Sequence, residues 1–426
     1  MRSVLNLKSL IAIIFWQVGF AAVPARASDS DFHGAALGAL EAEALRTYPA
    51  ILAAESSLEA AGYGIESAEW AFYPTPQVGG RANDDGSLSV TLKLIQPLWT
   101  GGRLDAGKDQ ARARSRAAYF SVANRRLSVS LTVVELYASL ISDLMVSDIY
   151  LSGLGALTGL RAMIKRRTES HVSSLSDFAL ADTRYAALEN DFFMAQSRLS
   201  EEYARLSEMV GRKVALGDMG SDFEAGNWRP RRTERERLIK RALMFNPDIA
   251  RLRAELDVAR GSVRLRESSY FPTLSLNVEH DLNQDRNGES GRQQSDSSIY
   301  LTLESTLSPG LGSMSEVKAA RSSAKAARHD LLAAESALRQ RLEQLIAEYR
   351  SLDGQVDRLS GNVRRLERIL DSYKRLFLLG RRSWLDLLNM VREGIQAREA
   401  LVRARVRLFM LRETLKRYEI RERADG

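Results

Sequence analysis

From Ser87 to Pro97 apolar and polar side chains alternate, with Leu88, Val90, Leu92 and Leu94 set against Ser89, Thr91 and Lys93. A period of two predicts a strand with one oily face and one wet face. Its length suits a tilted crossing of a bilayer, about 9–11 residues, although a half-buried strand in a soluble sandwich alternates in the same way. What favours the membrane is that the pattern returns. Thr273 to Leu282 sets Leu274, Leu276 and Val278 against Thr273, Ser275 and Asn277, and Ile299 to Leu303 sets Ile299, Leu301 and Leu303 against Tyr300 and Thr302. A fourth and poorer strand is predicted around Gln77 to Ala82, where two glycines and Arg81 interrupt it.

The other pattern is helical and very long. Prolines stand only at 24, 49, 74, 76, 97, 230, 247, 272 and 309, so 98–229 and everything after 309 are free of them. From Leu104 to about Arg167 one helix is predicted, roughly 90 Å long at 1.5 Å per residue. Its apolar positions, among them Phe120, Leu127, Leu131, Val134, Ala138, Ile141 and Met145, step by threes and fours. The same stepping runs from Leu352 through Leu359, Leu366 and Tyr373 to Phe377, and again from Leu401 to Tyr418. These are coiled-coil seams. Acids are too frequent on the polar faces for helices lying on a membrane surface.

The chain repeats itself. Tyr48-Pro49 recurs as Asn246-Pro247 and Tyr73-Pro74 as Phe271-Pro272, both displaced by 198 residues. His171-x-x-Ser174-x-x-Asp177 recurs as Gly380-x-x-Ser383-x-x-Asp386, displaced by 209, after a longer polar loop at Asn283–Ser297. Each unit reads helix, strand, loop, strand, very long helix, turn, helix. The expected organisation is a signal peptide at 1–27, a first structural repeat at 28–211 and a linker or equatorial segment at 212–237. A second repeat follows at 238–418, then a short tail at 419–426. The fold class is mainly α with a small β part.

Residues 1–27 carry Arg2 and Lys8, an apolar stretch from Leu10 to Phe20, and the small-x-small site Ala25-Arg26-Ala27, the layout of an export signal. The formal charge is +7; removing Arg2, Lys8 and Arg26 with the leader leaves +4. That excess is interleaved with acids, as in R-R-T-E-R-E-R at 231–237, and reads as solvated helix surface and not as a nucleic-acid patch. Cysteine is absent, which removes any disulfide framework and any lipobox acylation site. His33, His171, His280 and His329 share no metal-ligand spacing, and no nucleophile elbow, P-loop or dinucleotide fingerprint stands in its required context. No catalytic residue, metal or cofactor is expected.

Four strands cannot close a barrel, and an open sheet edge in lipid leaves backbone groups unsatisfied. Bacterial barrels begin at about 8 strands, so a membrane sheet of four implies at least two copies. The turn-rich loops Asp84-Asp85-Gly86 and Asn283–Ser297 suit the watery side of such a barrel.

The leader, the two repeats, Tyr-Pro or Phe-Pro before a strand, Q-P-L-W-T-G-G-R at 96–103 and the G-x-x-S-x-x-D turn together resemble the TolC family of outer-membrane export channels. The resemblance covers nearly the whole mature chain. It implies a homotrimer whose twelve strands form one barrel in the outer membrane, continued by a tapering α-helical barrel across the periplasm. It implies outer-membrane lipid, a periplasmic adaptor (membrane fusion protein) and an inner-membrane ABC or proton-driven transporter as partners. The chain would be a passive exit duct and no enzyme. S-P-G-L-G at 308–312 is similar to members serving type I protein secretion; small-molecule or drug efflux is the alternative, and a soluble periplasmic coiled-coil scaffold a distant one. The second-repeat counterpart of Q-P-L-W, Glu304 to Gly310, departs from the usual apolar form.

The resemblance also implies site residues. Ser176 and Asp177 match the acceptor side of a gate at the inner tip, and Arg382 matches the arginine that reaches across. Phe377 stands where a tyrosine hydroxyl often helps. Asp386 matches a pore-facing acidic ring whose second acid is Asn389 here. Helix physics offers another reading of Asp177 and Asp386, as capping or first-turn acids, and Arg382 could be merely solvated beside Arg381. Trp70, Phe72, Tyr73, Trp99, Tyr270 and Phe271 flank the strands as a membrane-interface girdle should, or as packing at helix–strand junctions would.

Overall fold

The computed structural model describes residues 30–82, 88–215, 232–284, 293–305 and 312–419. The leader, the Asp84–Gly86 turn, most of S-P-G-L-G and of the Glu304–Gly310 segment, and the tail beyond Glu419 lie outside them.

Each repeat opens on two short helices. Helices α1 (Ser30–Thr47) and α2 (Pro49–Trp70) in the first correspond to α5 (Arg232–Phe245) and α6 (Pro247–Glu267) in the second. The recurring X-Pro marks the start of α2 and of α6, with proline in the first turn where its missing N–H costs nothing. Asn246 caps α6 by accepting from Asp248 N at 3.0 Å and Ile249 N at 3.2 Å. The predicted unit had a single leading helix; the structure has a pair, and α5 begins inside the expected linker.

Strands β1 (Thr75–Ala82), β2 (Leu88–Trp99), β3 (Thr273–Gln284) and β4 (Gln293–Glu304) form one antiparallel sheet in that order. The two hairpins are joined by β2–β3 pairing, which couples the repeats, and β1 and β4 are left as edges. Strand β4 is longer than its alternation predicted. Residues 293–298 are polar on both faces, yet their backbone pairs with β3 up to Gln284, so the polar loop is shorter than 283–297. A bulge at Pro97/Trp99 ends β2. Gly101 then turns the chain at φ 60°, with Phe271 so close that a Cβ on Gly101 would meet its Cβ at 2.5 Å.

The long helices are α3 (Arg103–Glu169) and α7 (Gly312–Leu378), 67 residues each, returning as α4 (Leu175–Val210) and α8 (Trp384–Glu419), 36 residues each. Nearer the sheet the helices lie side by side in the order α2, α3, α6, α7; beyond the midpoint the order is α4, α3, α8, α7. The upper part of α3 therefore meets α2 through Arg126–Glu55 and α6 through Arg264–Asp109. Its lower part meets α4 through Arg161–Asp182 and α8 through Tyr150, whose hydroxyl donates to Glu399 at 2.9 Å. Burial and that carboxylate push the Tyr150 phenol up to about 12.

Where the two orders meet, a belt of short helices closes the core. Leu37, Leu40 and Ala44 of α1 are enclosed with Val133, Tyr137 and Phe409, and Leu238 and Ala242 of α5 with Leu345, Tyr349 and Leu411. A polar knot ties the belt. Arg417 donates to Ser130 Oγ at 2.9 Å and Glu413 Oε2 at 3.1 Å, and also pairs with Glu41. By composition α3 holds a stretch long and apolar enough to cross a bilayer. Its Val133, Val134, Tyr137 and Leu140 are wholly buried among protein side chains, which makes that stretch core.

Candidate functional site

The sheet has two unlike faces. On one, Val78, Leu92, Leu94, Val278, Ile299, Leu301 and Leu303 stand in register across the four strands, and Val78 and Ile299 are 76% and 73% exposed. In water so large an apolar patch marks a membrane or a partner.

On the other face polar side chains predominate and several of them pair across the strands. Lys93 Nζ lies 3.8 Å from Glu279 Oε2 and 5.7 Å from the centre of the Tyr300 ring, and the Tyr300 hydroxyl donates to the same Glu279. Thr91 donates to Asp281 at 2.5 Å, and Asn277, buried, donates to Thr302 at 2.8 Å. The wet face is thus a lattice of cross-strand hydrogen bonds and one ion pair laid against the sheet. It suits a water-filled lumen and performs no bond chemistry. Alternation predicted the two faces. The partners were hidden, because Thr91 and Asp281 are 190 residues apart.

The six predicted girdle aromatics all sit at the foot of the sheet. Trp70, Tyr73, Trp99, Tyr270 and Phe271 are roughly half exposed or more, and Phe72 is half-buried. Trp70 tilts against Tyr73 at 5.3 Å and Trp99 meets Phe271 edge-on at 6.1 Å. Below them Lys108 binds Glu69 at 2.9 Å, and that hydrogen bond holds the carboxyl below its usual range.

At the opposite end, each long helix stops in a Schellman turn. Val172 N donates to Arg167 O and His171 N to Thr168 O; in the second repeat Arg381 N donates to Leu376 O and Gly380 N to Phe377 O. The left-handed residue is Gly380 at φ 70° in one turn and His171 at φ 56° in the other. The predicted site residues follow. Asp177 Oδ2 accepts from Ser174 N and Asp177 N donates to Ser174 Oγ, both at 3.1 Å, a capping box that starts α4. Asp386 does the same with Ser383 at 3.3 and 3.0 Å.

Arg382 is not merely solvated. Its guanidinium stacks 4.7 Å from the Tyr373 ring and lies 3.8 Å from Asp386. Tyr373 was seen in the sequence only as a seam residue. Phe377 is buried in the helical core, Ser176 is exposed and Asn389 is half-buried. Sequence reasoning passed over Val172, Leu175, Leu378 and Leu379, large apolar side chains at the tip that are each more than 60% exposed. Apolar residues flanking a Ser- or Gly-containing turn were the available signal. Among the described residues no group of three or more acids, histidines or cysteines could hold a metal.

Known proteins place this geometry. Outer membrane protein TolC of Vibrio cholerae is 27% identical over 256 residues, a match spanning 57% of this chain and 56% of that relative, so the alignment reaches little more than half of either. Among solved structures, the outer membrane protein VceC of Vibrio cholerae is similar at TM-score 0.76 and 17% identity, over 90% of this chain and 96% of that one. The open-state MtrE outer membrane channel of Neisseria gonorrhoeae is similar at 0.71 and 18%, over 90% and 88%. CusC matches at 0.73 and 15%, over 93% and 95%. These identities establish the shared fold. The sequence pattern of the outer membrane efflux protein family matches residues 40–212 and 238–418. The chain therefore belongs to the outer membrane efflux protein family, channels of the Gram-negative outer membrane that extend into the periplasm.

Proposed function

We propose that the chain is one third of a passive exit duct: a homotrimer whose three sheets close into a single 12-stranded barrel, working with a periplasmic adaptor and an inner-membrane transporter. The observation that carries this reading is the sheet itself, bare and apolar on one face, hydrogen-bonded and polar on the other, with two unpaired edges. Such edges are satisfied in lipid only by further strands. Type I secretion of a protein is the finer reading, supported by the likeness of S-P-G-L-G at 308–312 to secreting members; small-molecule efflux is its rival.

The tip residues form a gate in this proposal. Ser176 and Asp177 accept, Arg382 reaches toward them from its perch on Tyr373, and Asp386, with Asn389 a turn further on, lines the narrowest ring. An exposed Arg–carboxylate link contributes about 0.2–1 kcal/mol per chain, a latch that a docking partner can open. Single-channel recording in planar bilayers tests this. Wild-type protein should conduct rarely and Asp177→Ala or Arg382→Ala more often, while Asp386→Asn should weaken cation preference. Absence of any conductance would remove the duct, and unchanged open probability in both gate variants would remove the latch. For the cargo, export of a large protein substrate by cells bearing the matching transporter supports secretion; drug sensitivity alone on deletion supports efflux.

A further inference from the structure

The oily face of the sheet is not oily throughout. Cross-strand partners point the same way, so the register sorts the outward side chains into rows. Leu94, Val278 and Ile299 form one row. The next row away from the helices runs Val78, Leu92, His280 and Ser297, and the one beyond it Gly80, Val90, Leu282 and Ser295. At these two heights β1, β2 and β3 present nothing polar except His280, whereas β4 turns polar as soon as Ile299 is passed. His280 is half-buried, and Ser295 and Ser297 are exposed.

Strand geometry gives the depth of this polar spot. Leu274 pairs with Trp99 at the foot of the sheet, and His280 lies further along the same strand. At about 3.4 Å per residue and a tilt of about 40°, the imidazole stands about 16 Å above the aromatic girdle, within an apolar band about 25 Å tall. It is therefore in the outer half of the band and short of its rim, and Ser295 continues the polarity outward. An ionisable side chain at such a depth needs a partner. Ser297 Oγ lies 2.8 Å from His280 Nδ1, which answers half of that need. If the hydroxyl donates to Nδ1, the neutral ring carries its proton on Nε2; if Nδ1 donates, the hydroxyl proton is left over. Either arrangement leaves one donor. Among the described residues neither side chain has a second hydrogen bond.

We propose that His280, Ser297 and Ser295 form a notch in the outward side of the sheet that receives a phosphate group of an outer-leaflet glycolipid. The inference rests on the barrel reading above, which turns this side to lipid. Phosphate oxygens are strong acceptors for the donor that the His280–Ser297 pair leaves over. The track of Ser297 and Ser295 lets a headgroup reach below the level at which Val90 and Leu282 keep the neighbouring strands apolar. Leu92, Val278, Leu282 and Ile299 around the notch suit the acyl chains of the same molecule, which favours a lipid over a free anion.

The test is a lipid titration of the full-length protein, purified in detergent and freed of lipid, with bound molecules counted by native mass spectrometry. The probes are bisphosphorylated lipid A, the same lipid A stripped of its phosphates, and inorganic phosphate. Lipid A should bind about tenfold more tightly than its dephosphorylated form, at one molecule per chain, and inorganic phosphate should neither bind stably nor displace it. His280→Leu should abolish the preference for the phosphorylated lipid, and Ser297→Ala should weaken it about threefold. Both changes remove polar atoms from a lipid-facing surface, so assembly should persist; if His280→Leu fails to assemble, Ser297→Ala carries the test. Equal binding of the two lipids, or a preference untouched by the substitutions, would overturn the notch. Displacement of lipid A by inorganic phosphate would overturn the lipid as its source. A folded protein with the mass of a single chain would instead overturn the trimeric reading beneath it.

Discussion

Helices α3 and α7 have the same length and the same place in their repeats, yet they live in different surroundings. Buried side chains run almost the whole length of α3, from Ala106 to Ile164, because α2 and α4 flank it on one side and α6 and α8 on the other. Helix α7 has neighbours on one side, and its buried residues are Val317, Leu342, Leu345, Ile346, Tyr349, Leu366 and Phe377. The returning helices divide in the same way, α8 being packed from Leu387 to Leu415 and α4 along a single stripe. Duplication supplied two equivalent rods, and position in the wall made one a core and the other an edge. An edge 67 residues long with one bare side is the helical counterpart of the unpaired strands β1 and β4.

That contrast can be broken most severely at its centre. Tyr137→Ala removes a fully buried ring that packs on Phe409 and should cost about 3–5 kcal/mol in denaturant unfolding. Leu332→Ala on the bare side of α7, where the side chain is 48% exposed within one chain, should cost clearly less than Tyr137→Ala in the same assay, because only a neighbouring copy can cover it. Equal costs would mean that α7 is as enclosed as α3.

Close packing of α3 gives the next largest effect. A Cβ on Gly153 would meet Ile395 at 2.5 Å and Leu188 at 3.1 Å, so Gly153→Ala should destabilise by about 1–3 kcal/mol. Gly159, six residues on, faces open space, and Gly159→Ala should stabilise by about 0.5–1 kcal/mol through helix propensity. Thermal midpoints of the two variants should move in opposite directions.

The two tip turns place different residues at the left-handed position, His171 and Gly380, and exchanging them sharpens the comparison between repeats. His171→Gly should stabilise by about 1 kcal/mol, because the left-handed backbone there strains a residue bearing a Cβ. Gly380→Ala should destabilise by a similar amount. Both are read by hydrogen exchange at the first turns of α4 and α8.

The smallest effect concerns pH. Burial raises the Glu413 carboxyl, but hydrogen bonds from Lys416 and Arg417 outweigh it and leave the group below 4.5. Its contribution is therefore present above pH 4.5 and lost as the pH falls through the folded value. Glu413→Gln should flatten the acid limb of the stability profile, measured as thermal midpoint against pH.

Much of this was legible in the chain. Alternation from Leu88 to Leu94 and from Leu274 to Val278 marked the oily face of the sheet, and the proline-free runs marked the two long rods, the first of them, expected from Leu104 to about Arg167, to within a turn. The recurring X-Pro and Ser-x-x-Asp pairs marked the repeat; Tyr48-Pro49, Asn246-Pro247 and the Ser-x-x-Asp pairs prove to be helix starts, and Tyr73-Pro74 and Phe271-Pro272 lead into β1 and β3. The upper half of β4 was not legible, since Gln293 to Ser298 has no apolar phase and is held as strand by pairing with β3. Nor were Lys93–Glu279 and Thr91–Asp281, because register between distant strands is set only when the sheet forms. The burial of Phe377 followed from its place in the seam, but the bareness of α7 could not be read: an apolar stripe looks the same whether one neighbour covers a helix or two do.

The central claim is that one chain is an unfinished wall, completed only by copies of itself. Native mass spectrometry of the protein released from outer membranes in mild detergent tests it most directly. The account predicts a complex of three chains, with monomer appearing only as the fold is lost. A folded, channel-forming species with the mass of a single chain would contradict it.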